Sequence, residues 1–455
     1  MNPLHVVILA AGQGSRMKSC LPKVLHRIAG KPMLHHVMDT ARQLGAERIH
    51  GVIGHGADQV QAITQADDVQ WAMQEQQLGT GHAVAQALPD LPDDGCVLIL
   101  YGDVPLTRTE TLEKLVSRVS DQAMALLTVT LDNPDGYGRI LRNDQGAVTA
   151  IVEQKDATED QRGINEVNTG ILAVSARHLK TWIPELSNAN AQGEYYLTDI
   201  IAMASEAGVG IEVAQPDTAF EVQGVNNRMQ LAGLERWYQQ QQADRLMTEG
   251  ASLADPARID VRGDLTVGQD VLIDINAVFE GKVTLDSGVS IGPDCVLRNC
   301  HVGANSKIDA HSVIDGATVG RHAQIGPFAR VRPGTELADH TKVGNFVETK
   351  KAVVGEGSKI NHLSYVGDAT LGRNVNVGAG TITCNYDGVN KHQTYIGDGV
   401  FVGSNTSLVA PVALAENATI GAGSTITRDV AAAELAVARG KQRNIADWQR
   451  PAKKQ

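Results

Sequence analysis

Aromatic residues are scarce in this chain of 455 residues, which has four Trp, eight Tyr and five Phe, 17 in all. Glycine is abundant instead, with 46 residues, about 10% of the chain against roughly 7% in average usage. Hydrophobic residues still make up 42% of the chain, so intrinsic disorder does not explain the shortage of rings. The composition therefore predicts a fold that needs many glycines and has little room for large side chains.

Long apolar runs are also missing. No apolar stretch reaches the roughly 18 residues that a transmembrane helix requires, so we expect no membrane insertion. The apolar run at residues 5–11 has no basic region before it and continues into Gly12-Gln13-Gly14. This arrangement predicts a strand that enters a loop, not a secretory signal.

The chain has few cysteines and few basic residues. Its five cysteines form no CxxC pair, which favours reduced thiols in a cytoplasmic protein over a metal site: Cys20, Cys96, Cys295, Cys300 and Cys384. The 40 Lys and Arg against 52 Asp and Glu give a net charge of −12, which argues against nucleic-acid binding. This charge does not forbid a small anionic substrate in a local basic pocket.

The length predicts two large units or three smaller ones, at about 150 residues per domain. Residues 1–226 alternate short apolar runs with amphipathic segments, and we predict strands at Val6–Ala10, Ile49–Ile53, Val97–Tyr101, Leu126–Leu131 and Gly170–Val174. Helices are predicted from Leu34 to Leu44 and from about Tyr195 to Glu206. Strands that alternate with helices indicate an α/β domain whose sheet is largely parallel and covered on both faces.

Residues 227–250 predict one connecting helix, because the segment is rich in helix formers, has no proline and meets Gly250 at its end. Beyond Asp260 the apolar residues recur every six positions, from Val261 to Leu297 without a break. After a slip of one residue the spacing resumes at Val302, and it continues in shorter runs, separated by further interruptions, as far as Ile426. Glycine often follows these apolar residues. This hexapeptide pattern predicts a parallel β-helix domain over 251–455, in which residues 261–426 form about nine coils of roughly 18 residues that use glycine at their corners.

A glycine loop ends the first predicted strand, at Gly12-Gln13-Gly14-Ser15-Arg16, with Lys23 shortly after it. Backbone N–H groups at the glycines can approach a phosphate chain, and Arg16 and Lys23 can neutralise it. The loop matches neither GxGxxG, because Met17 stands at the third glycine, nor a P-loop. The two glycines alone could equally form a structural turn.

Asp103 closes the apolar strand that ends at Tyr101, at the carboxyl edge where open α/β sheets bind ligands. Its carboxylate is a ligand type that Mg²⁺ prefers. A turn residue or a helix N-cap before Thr107–Leu112 is the alternative.

Polar side chains in the repeat region indicate a second site. Arg332 and Lys350 are separated by one full coil of the repeat, so they stack on one side and suit a sugar phosphate. The segment Thr383–Thr394 breaks the period and predicts a loop. Histidine is the side chain that accepts a proton near neutral pH, but His362 taken alone could equally be a surface or packing residue.

The string LAAGxGSRM…PK at residues 9–23 resembles the opening of the sugar-1-phosphate nucleotidyltransferases. The same half carries further matching residues: Gln74, Gly79-Thr80, Tyr101-Gly102-Asp103, Gly136-Tyr137-Gly138-Arg139, Glu153, Asn168-Thr169-Gly170 and Gly224-Val225-Asn226-Asn227. With the hexapeptide half, residues 5–450 resemble the bifunctional N-acetylglucosamine-1-phosphate uridyltransferase/glucosamine-1-phosphate N-acetyltransferase family. This resemblance implies an α/β nucleotidyltransferase domain with a Rossmann-like mixed sheet, followed by a left-handed parallel β-helix.

The resemblance also implies site residues. The uridine nucleotide and its sugar would be held by Leu9, Ala10, Ala11, Gly12, Lys23, Gln74, Gly79, Thr80, Tyr101, Gly102, Asp103, Gly138, Glu153, Asn168 and Asn226, with Asp103 and Asn226 as Mg²⁺ ligands. His362 would be the catalytic base of acetyl transfer, with Glu348 orienting it. Glucosamine-1-phosphate would contact Arg332, Lys350, Tyr365 and Asn376. Acetyl-CoA would contact Ala379, Asn385, Tyr386, Ser404, Ala422 and Arg439.

The implied substrates are UTP, acetyl-CoA and glucosamine-1-phosphate, and the implied assembly is a cytoplasmic homotrimer with acetyltransferase sites between neighbouring prisms. Two other functions compete with this one. The β-helix could serve only to oligomerise or regulate a nucleotidyltransferase, or the whole chain could be a sugar-nucleotide-binding scaffold without catalysis.

Overall fold

The computed structural model describes residues 3–451 and residue 453, and the chain divides into two compact units between Tyr238 and Gln239. Across the described residues, none of the helices has the length and hydropathy of a membrane span. All five cysteines are unpaired.

The first unit alternates strands and helices, as the sequence predicts. Its strands are β1 (Leu4–Ala10), β2 (Arg27–Ile28), β3 (Lys31–Pro32), β4 (Arg48–Ile53), β5 (Val69–Met73), β6 (Cys96–Tyr101), β7 (Ala123–Thr130), β8 (Arg139–Arg142), β9 (Val148–Val152), β10 (Glu166–Ser175) and β11 (Gly210–Ala214). Its helices are α1 (Met33–Gln43), α2 (Ala57–Thr64), α3 (Thr80–Ala87), α4 (Thr109–Val116), α5 (Glu159–Arg162), α6 (Ala176–Trp182) and α7 (Asp199–Glu206).

The main sheet has the order β11-β7-β10-β6-β1-β4-β5, with β8 and β9 at its side. Strand β1 is parallel to β4 and β6, whereas β10 is antiparallel to both β6 and β7. The sheet is therefore largely parallel but mixed, as the resemblance implies. The chain returns from β7 to β10 through the β8–β9 hairpin, without the helical crossover that joins parallel neighbours.

Strand β1 shows how the sheet places the site. Its residues alternate between two cores, with Val6 and Ile8 in one and Val7 and Leu9 in the other. Because Leu9 pairs with Tyr101 in β6, the two strands end side by side. The glycine loop and Asp103 therefore lie at the same edge of the sheet.

Helix α7 begins later than the predicted start at Tyr195. The Tyr195 N–H donates to the Leu78 carbonyl oxygen at 2.8 Å, and the Leu197 N–H donates to the Thr80 hydroxyl at 3.1 Å. These backbone groups hold the loop before α3, so they are not used within a helix. This contact could not be predicted from the helical propensity of the segment.

The predicted connecting helix is present as α8 (Arg228–Thr248). Gly250 follows it with a φ of 108°, a conformation that favours glycine. The division between the two units falls within this helix, after Tyr238.

The second unit is built of short strands. They are β12 (Ala251–Leu253), β13 (Ile259–Val267), β14 (Val271–Ile273), β15 (Ala277–Leu285), β16 (Ser290–Ile291), β17 (Val296–Arg298), β18 (His301–Val302), β19 (Lys307–Ile308), β20 (Val313–Asp315), β21 (Thr318–Val319), β22 (Gln324–Ile325), β23 (Arg330–Val331), β24 (Glu336–Leu337), β25 (Lys342–Asn345), β26 (Glu348–Val354), β27 (Lys359–His362), β28 (Tyr365–Leu371), β29 (Asn376–Val377), β30 (Ile382–Cys384), β31 (Thr394–Ile396), β32 (Phe401–Val402), β33 (Ser407–Val409), β34 (Val412–Leu414), β35 (Thr419–Ile420), β36 (Thr425–Ile426) and β37 (Leu435–Ala436).

These strands stack in coils whose apolar residues share one buried core. Ile273 pairs with Ile291 in the next coil, and Ile291 pairs with Ile308 in the coil after that. The second of these steps is shorter than the first, which is the slip that the sequence shows. Pairings between the named strands of the described second unit are all parallel, consistent with a left-handed β-helix. The hexapeptide prediction is confirmed.

The glycines of the repeat have two roles, of which the sequence predicts only the one at the corners. A Cβ on Gly303, which follows the apolar Val302, would lie 2.7 Å from the backbone of Gly320 in the next coil, so close stacking requires glycine there. The left-handed corner lies further along the chain, at Asn305 with a φ of 58°. Asparagine tolerates this conformation, and Gly288 and Gly357 hold the same corner in other coils, with φ of 73° and 70°. The glycines therefore serve the corners, as predicted, and also the close stacking of coils.

The predicted loop between β30 and β31 is also present. Tyr386 and Lys391 form an antiparallel bridge, and the Lys391 ammonium lies 5.1 Å from the centre of the Tyr386 ring. A short hairpin therefore leaves the coil at the predicted position.

Candidate functional site

The glycine loop after β1 turns sharply toward Lys23. Gly14 has a φ of 63°, and a Cβ at this position would lie 2.6 Å from the Lys23 Cβ. The Met17 N–H donates to the Gly14 carbonyl oxygen at 2.9 Å and closes a short 3₁₀ turn at Ser15–Met17. Glycine is thus needed here for both conformation and space.

A cleft of about 710 Å³, part of it open to solvent, lies at this edge of the sheet. Its lining contains ten of the predicted residues: Leu9, Ala10, Ala11, Gly12, Lys23, Gln74, Gly79, Thr80, Tyr101 and Asp103. Val24, Gln77, Ala83 and Glu194 complete it and were not among the predicted residues. The structure therefore brings together predicted residues that are far apart in the sequence, from Leu9 to Asp103.

Four charged or polar side chains meet beside the cleft. The Lys23 ammonium donates to the Asp103 carboxylate and lies 3.4 Å from the Asn226 amide oxygen, to which Arg16 also donates at 2.9 Å. Asp103 is not a helix cap, because the cap of α4 is Arg108. A carboxylate and an amide oxygen that face one cation form a donor set that suits a divalent metal.

In the described part of the chain, no three His, Cys, Asp or Glu side chains cluster as metal ligands would. A site with one carboxylate and one amide oxygen does not need a third protein ligand, because Mg²⁺ commonly keeps waters and substrate phosphates. The donor set at Asp103 and Asn226 therefore fits the cation that the resemblance implies.

Gln74 and Gly79 shape the wall of the cleft. The Gln74 amide nitrogen donates to the Gly79 carbonyl oxygen at 3.1 Å, which fixes the side chain of this buried residue. Gly79 has a φ of 114°, and a Cβ there would lie 2.6 Å from the Tyr195 carbonyl oxygen. No other residue fits this position without moving the backbone.

The predicted sugar-binding residues Gly138, Glu153 and Asn168 lie just before β8, just after β9 and in β10. The Asn168 N–H donates to the Gly138 carbonyl oxygen at 2.8 Å, and a Cβ on Gly138 would lie 3.3 Å from the Glu153 carboxylate. Burial raises the pKa of the Glu153 carboxyl, although it accepts a hydrogen bond from Thr198 at 3.1 Å. Burial likewise raises the pKa of the Tyr101 phenol.

In the second unit, His362 and several predicted acetyl-CoA residues form a column along one corner of the β-helix. Carbonyl oxygens of successive coils accept backbone N–H groups of the next coil: His362 from Gly380, Ala379 from Asn405, and Ser404 from Gly423. The column ends where the Arg439 guanidinium donates to the Ala422 carbonyl oxygen at 2.7 Å. His362, Ala379, Ser404, Ala422 and Arg439 therefore share one edge.

A second group lies on the neighbouring side of the coils. Arg330 pairs with Glu348 and Val331 with Thr349, which places Arg332 beside Lys350 as the spacing of one coil predicts. The Asn385 amide nitrogen lies 3.5 Å from the Tyr365 hydroxyl. Asn376 pairs with Lys359 on the face that carries His362, and Tyr386 lies in the exposed hairpin.

The expected contact of Glu348 with His362 is not what the structure shows within one chain. The Glu348 carboxylate accepts from Arg332 at 2.7 Å, whereas His362 Nδ1 lies 2.6 Å from the Asn345 amide oxygen. Arginine draws the carboxylate away because a charged pair is stronger than a hydrogen bond to neutral imidazole. Within one chain, Asn345 is therefore the residue whose side chain contacts the His362 ring.

Two residues at this site, Asn345 and Asp368, were missed by the sequence reasoning. Asn345 lies one coil before His362, and Asp368 lies one coil after Lys350. That spacing was the available signal. Asp368 accepts hydrogen bonds from Lys350 at 3.4 Å and from Asn385.

Comparisons with known proteins agree with both units. Residues 6–168 match the model of the MobA-like NTP transferase domain. Residues 261–383 match that of the GMPPB C-terminal domain, and residues 393–428 match that of the bacterial transferase hexapeptide, six repeats. Among solved structures, a nucleotidyl transferase from Methanothermobacter thermautotroptrophicus aligns with 52% of this chain and 98% of its own, at 18% identity and a TM-score of 0.39.

Curated relatives match over the whole length. The chain is 74% identical over 453 residues to the bifunctional protein GlmU of Marinobacter nauticus, with 100% of both chains covered. It is 63% identical over 451 residues to the bifunctional protein GlmU of Cellvibrio japonicus, with 99% of this chain and 100% of that protein covered. The chain belongs to the bifunctional GlmU family.

Proposed function

We propose that this protein makes UDP-N-acetylglucosamine in two steps. The second unit transfers the acetyl group of acetyl-CoA to glucosamine-1-phosphate, and the first unit transfers uridylyl from UTP to the product and releases pyrophosphate. The observation that supports this most directly is that one chain carries both the Lys23–Asp103–Asn226 group and the His362–Asn345 pair. The functional boundaries that we propose are 1–226, 227–250 and 251–455.

In uridylyl transfer, a sugar phosphate oxygen forms a bond to the α-phosphorus of UTP, and the bond from that phosphorus to the pyrophosphate oxygen breaks. No protein nucleophile is needed, so the residues act by position and charge. Lys23 and Arg16 neutralise phosphate charge, while the loop at Gly12 and Gly14 lets backbone N–H groups approach. Gln74, Glu153 and Asn168 orient the uracil and the sugar.

Asp103 and Asn226 are the residues that would hold Mg²⁺. When bound, the ion supplies positive charge for the phosphates that react and helps to align them. The Lys23 ammonium contacts both oxygens, which keeps the carboxylate and the amide directed at one point.

In acetyl transfer, the amine nitrogen forms a bond to the thioester carbonyl carbon and the carbon–sulfur bond breaks, so CoA leaves as the thiolate. The substrate ammonium must first release one proton to solvent, and the nitrogen must lose a second proton as it bonds to the carbonyl carbon. Because the Asn345 amide oxygen can only accept, it selects the His362 tautomer with hydrogen on Nδ1 and leaves Nε2 free to take that proton. The same proton can then neutralise the thiolate.

We propose a homotrimer in which acetyltransferase sites form between neighbouring prisms. Among the described residues of one chain, no hydrogen bond joins the His362 side chain to Arg332, Lys350 or Tyr365. A second prism beside the first would bring the two groups together. The substrates UTP and acetyl-CoA and the unpaired cysteines favour the cytoplasm.

The two reactions can be separated by two variants of the full chain. Asp103→Asn is expected to lower Mg²⁺-dependent pyrophosphate release by at least about 100-fold and to leave release of free CoA thiol unchanged. His362→Ala is expected to lower thiol release by at least about 100-fold and to leave uridylyl transfer from N-acetylglucosamine-1-phosphate unchanged. Product analysis with UTP, acetyl-CoA, glucosamine-1-phosphate and Mg²⁺ gives the overall result.

The competing functions have distinct outcomes in the same assays. Pyrophosphate release without any thiol release by the unmodified chain would mean that the β-helix only oligomerises or regulates. The absence of both would mean a binding scaffold. Full activity of Asp103→Asn in uridylyl transfer would overturn the metal assignment.

A further inference from the structure

We infer that Asp368 is a positioning residue that holds the binding groups for both substrates of acetyl transfer, the sugar phosphate and acetyl-CoA. The inference rests on the proposed acetyltransferase function. None of the steps described above uses Asp368. Its side chain nevertheless lies between Lys350 and Asn385, which are both proposed to contact substrates.

The carboxylate of Asp368 is in an enclosed position. The residue is 5% exposed and lies in β28, where its pairing strand β26 carries Lys350. Its carboxylate accepts from the Lys350 ammonium at 3.4 Å and from the Asn385 amide nitrogen. A carboxylate at this depth is costly unless it is paired, and these two donors are the partners that stabilise it.

The backbone at Asp368 has the left-handed conformation of a coil corner, which Asn299 and Lys351 also adopt in earlier coils. Its φ is 48°, in the left-handed region that residues other than glycine, asparagine and aspartate seldom adopt. This conformation interrupts the regular strand within β28 and places the carboxylate between Lys350 and Asn385.

The chemistry of the carboxylate fixes both neighbours. Because an ionised carboxylate can only accept, the NH₂ group of Asn385 must face Asp368 and its carbonyl oxygen must face away. The same carboxylate also holds the ammonium at the end of the flexible Lys350 side chain. Less rotamer freedom then has to be lost when the sugar phosphate binds.

This arrangement links the two substrates. Lys350 is a proposed contact of glucosamine-1-phosphate, and Asn385 is a proposed contact of acetyl-CoA. Since both donate to one carboxylate, loss of that carboxylate should disturb both binding groups together. A residue that served only one substrate would affect one KM.

The variant Asp368→Asn tests the inference, because asparagine has the same shape and tolerates the left-handed backbone. The KM for glucosamine-1-phosphate and the KM for acetyl-CoA are each expected to rise about tenfold, with kcat for acetyl transfer changed less than about threefold. Uridylyl transfer by the same preparation should be unchanged. Asp294→Asn, the same change at another left-handed position with a φ of 57°, should alter neither KM.

A double-mutant cycle separates positioning from a general structural effect. In the Lys350→Ala background, Asp368→Asn should raise the KM for glucosamine-1-phosphate by less than about threefold, because the group that it positions is absent. If Asp368→Asn fails to fold, Asp368→Gly removes the carboxylate at a φ that glycine adopts freely and should give the same two KM changes.

Three results would overturn the inference: both KM values within about twofold of the unmodified chain, a change in one KM alone, or a full tenfold effect in the Lys350→Ala background. Failure of the inference remains distinct from failure of the proposed function. In the first case the unmodified chain releases thiol normally, and in the second it releases none.

Discussion

At the scale of single residues, a buried histidine pair in the first unit has a consequence for pH. His5 Nδ1 and His50 Nε2 lie 3.3 Å apart, and His50 is 1% exposed. Burial lowers the pKa of His5 and lowers that of His50 to about 4, to which the neighbouring His5 also contributes. Both rings are therefore neutral in the folded protein near pH 7.

Because the folded pKa of His50 lies below its unfolded value of 6.5, its stabilising contribution is present above pH 6.5 and is lost as the pH falls toward about 4. We expect His50→Gln to reduce the fall in the unfolding midpoint of the first unit between these pH values. Each kcal/mol corresponds to about 2–4 °C in a unit of this size. Thermal unfolding measured from pH 7.5 to pH 4 checks this expectation.

The exposed His55 provides the control for this series. His55→Gln should follow the pH dependence of the unmodified chain. Identical slopes for His50→Gln and the unmodified chain would show that the pair does not contribute to acid sensitivity.

Single residues also show what the sequence could and could not predict about the sites. Lys23 and Asp103 could be assigned because each stands at a strand or loop end with a recognisable pattern, and the structure brings them into contact. Asn345 and Asp368 have no such pattern. Their importance depends on which side chains stack one coil away. The spacing of the sequence also does not reveal that Glu348 pairs with Arg332 while His362 contacts Asn345.

At the scale of elements, stacked strands of the β-helix approach each other so closely that one added carbon atom would clash with the next coil. A Cβ on Gly344 in β25 would lie 1.9 Å from the carbonyl oxygen of Asn361 in β27. Asn345 and His362, which form the proposed orienting pair, are the next residues along these two strands. A change in the packing of Gly344 against Asn361 should therefore also move Asn345 and His362.

We expect Gly344→Ala to destabilise the second unit by about 1–3 kcal/mol, because the two coils must move apart. Acetyl transfer should fall by about tenfold or more, since small displacements of a catalytic group are costly. Thermal unfolding and thiol release measure the two effects, while uridylyl transfer serves as the internal reference.

Gly233→Ala in α8 is the matched control, because a Cβ there has nothing within 4 Å. It should leave both activities unchanged. Wild-type stability and acetyl transfer in Gly344→Ala would contradict the close approach of β25 and β27.

Elements differ in how well their sequence predicts them. The six-residue spacing identifies the β-helix because each side of every coil needs one apolar residue that points inward. Ile273, Ile291 and Ile308 fill this position on one side of three successive coils. The direction of β10 in the main sheet is not predictable in this way. It depends on the β8–β9 hairpin, whose strands carry the same apolar pattern in either direction.

At the scale of the whole molecule, the proposed trimer gives a measurable mass. Light scattering of the purified chain should give about three times 48.4 kDa. On dilution into the range where subunits separate, the specific activity of acetyl transfer should fall before that of uridylyl transfer, because only the first reaction would use two prisms. A monomer with full acetyl transfer would contradict the proposal.

The stacked coils also make the second unit nearly one-dimensional in its energetics. Each coil contacts mainly its two neighbours, so stability is close to a sum of local terms, and opening begins most readily at the ends. On the face that carries His362, β27 is the seventh of eleven strands in the described chain. Thermal fraying must therefore pass through several coils before it reaches the histidine, and amide exchange should become slower from either end of the prism toward it.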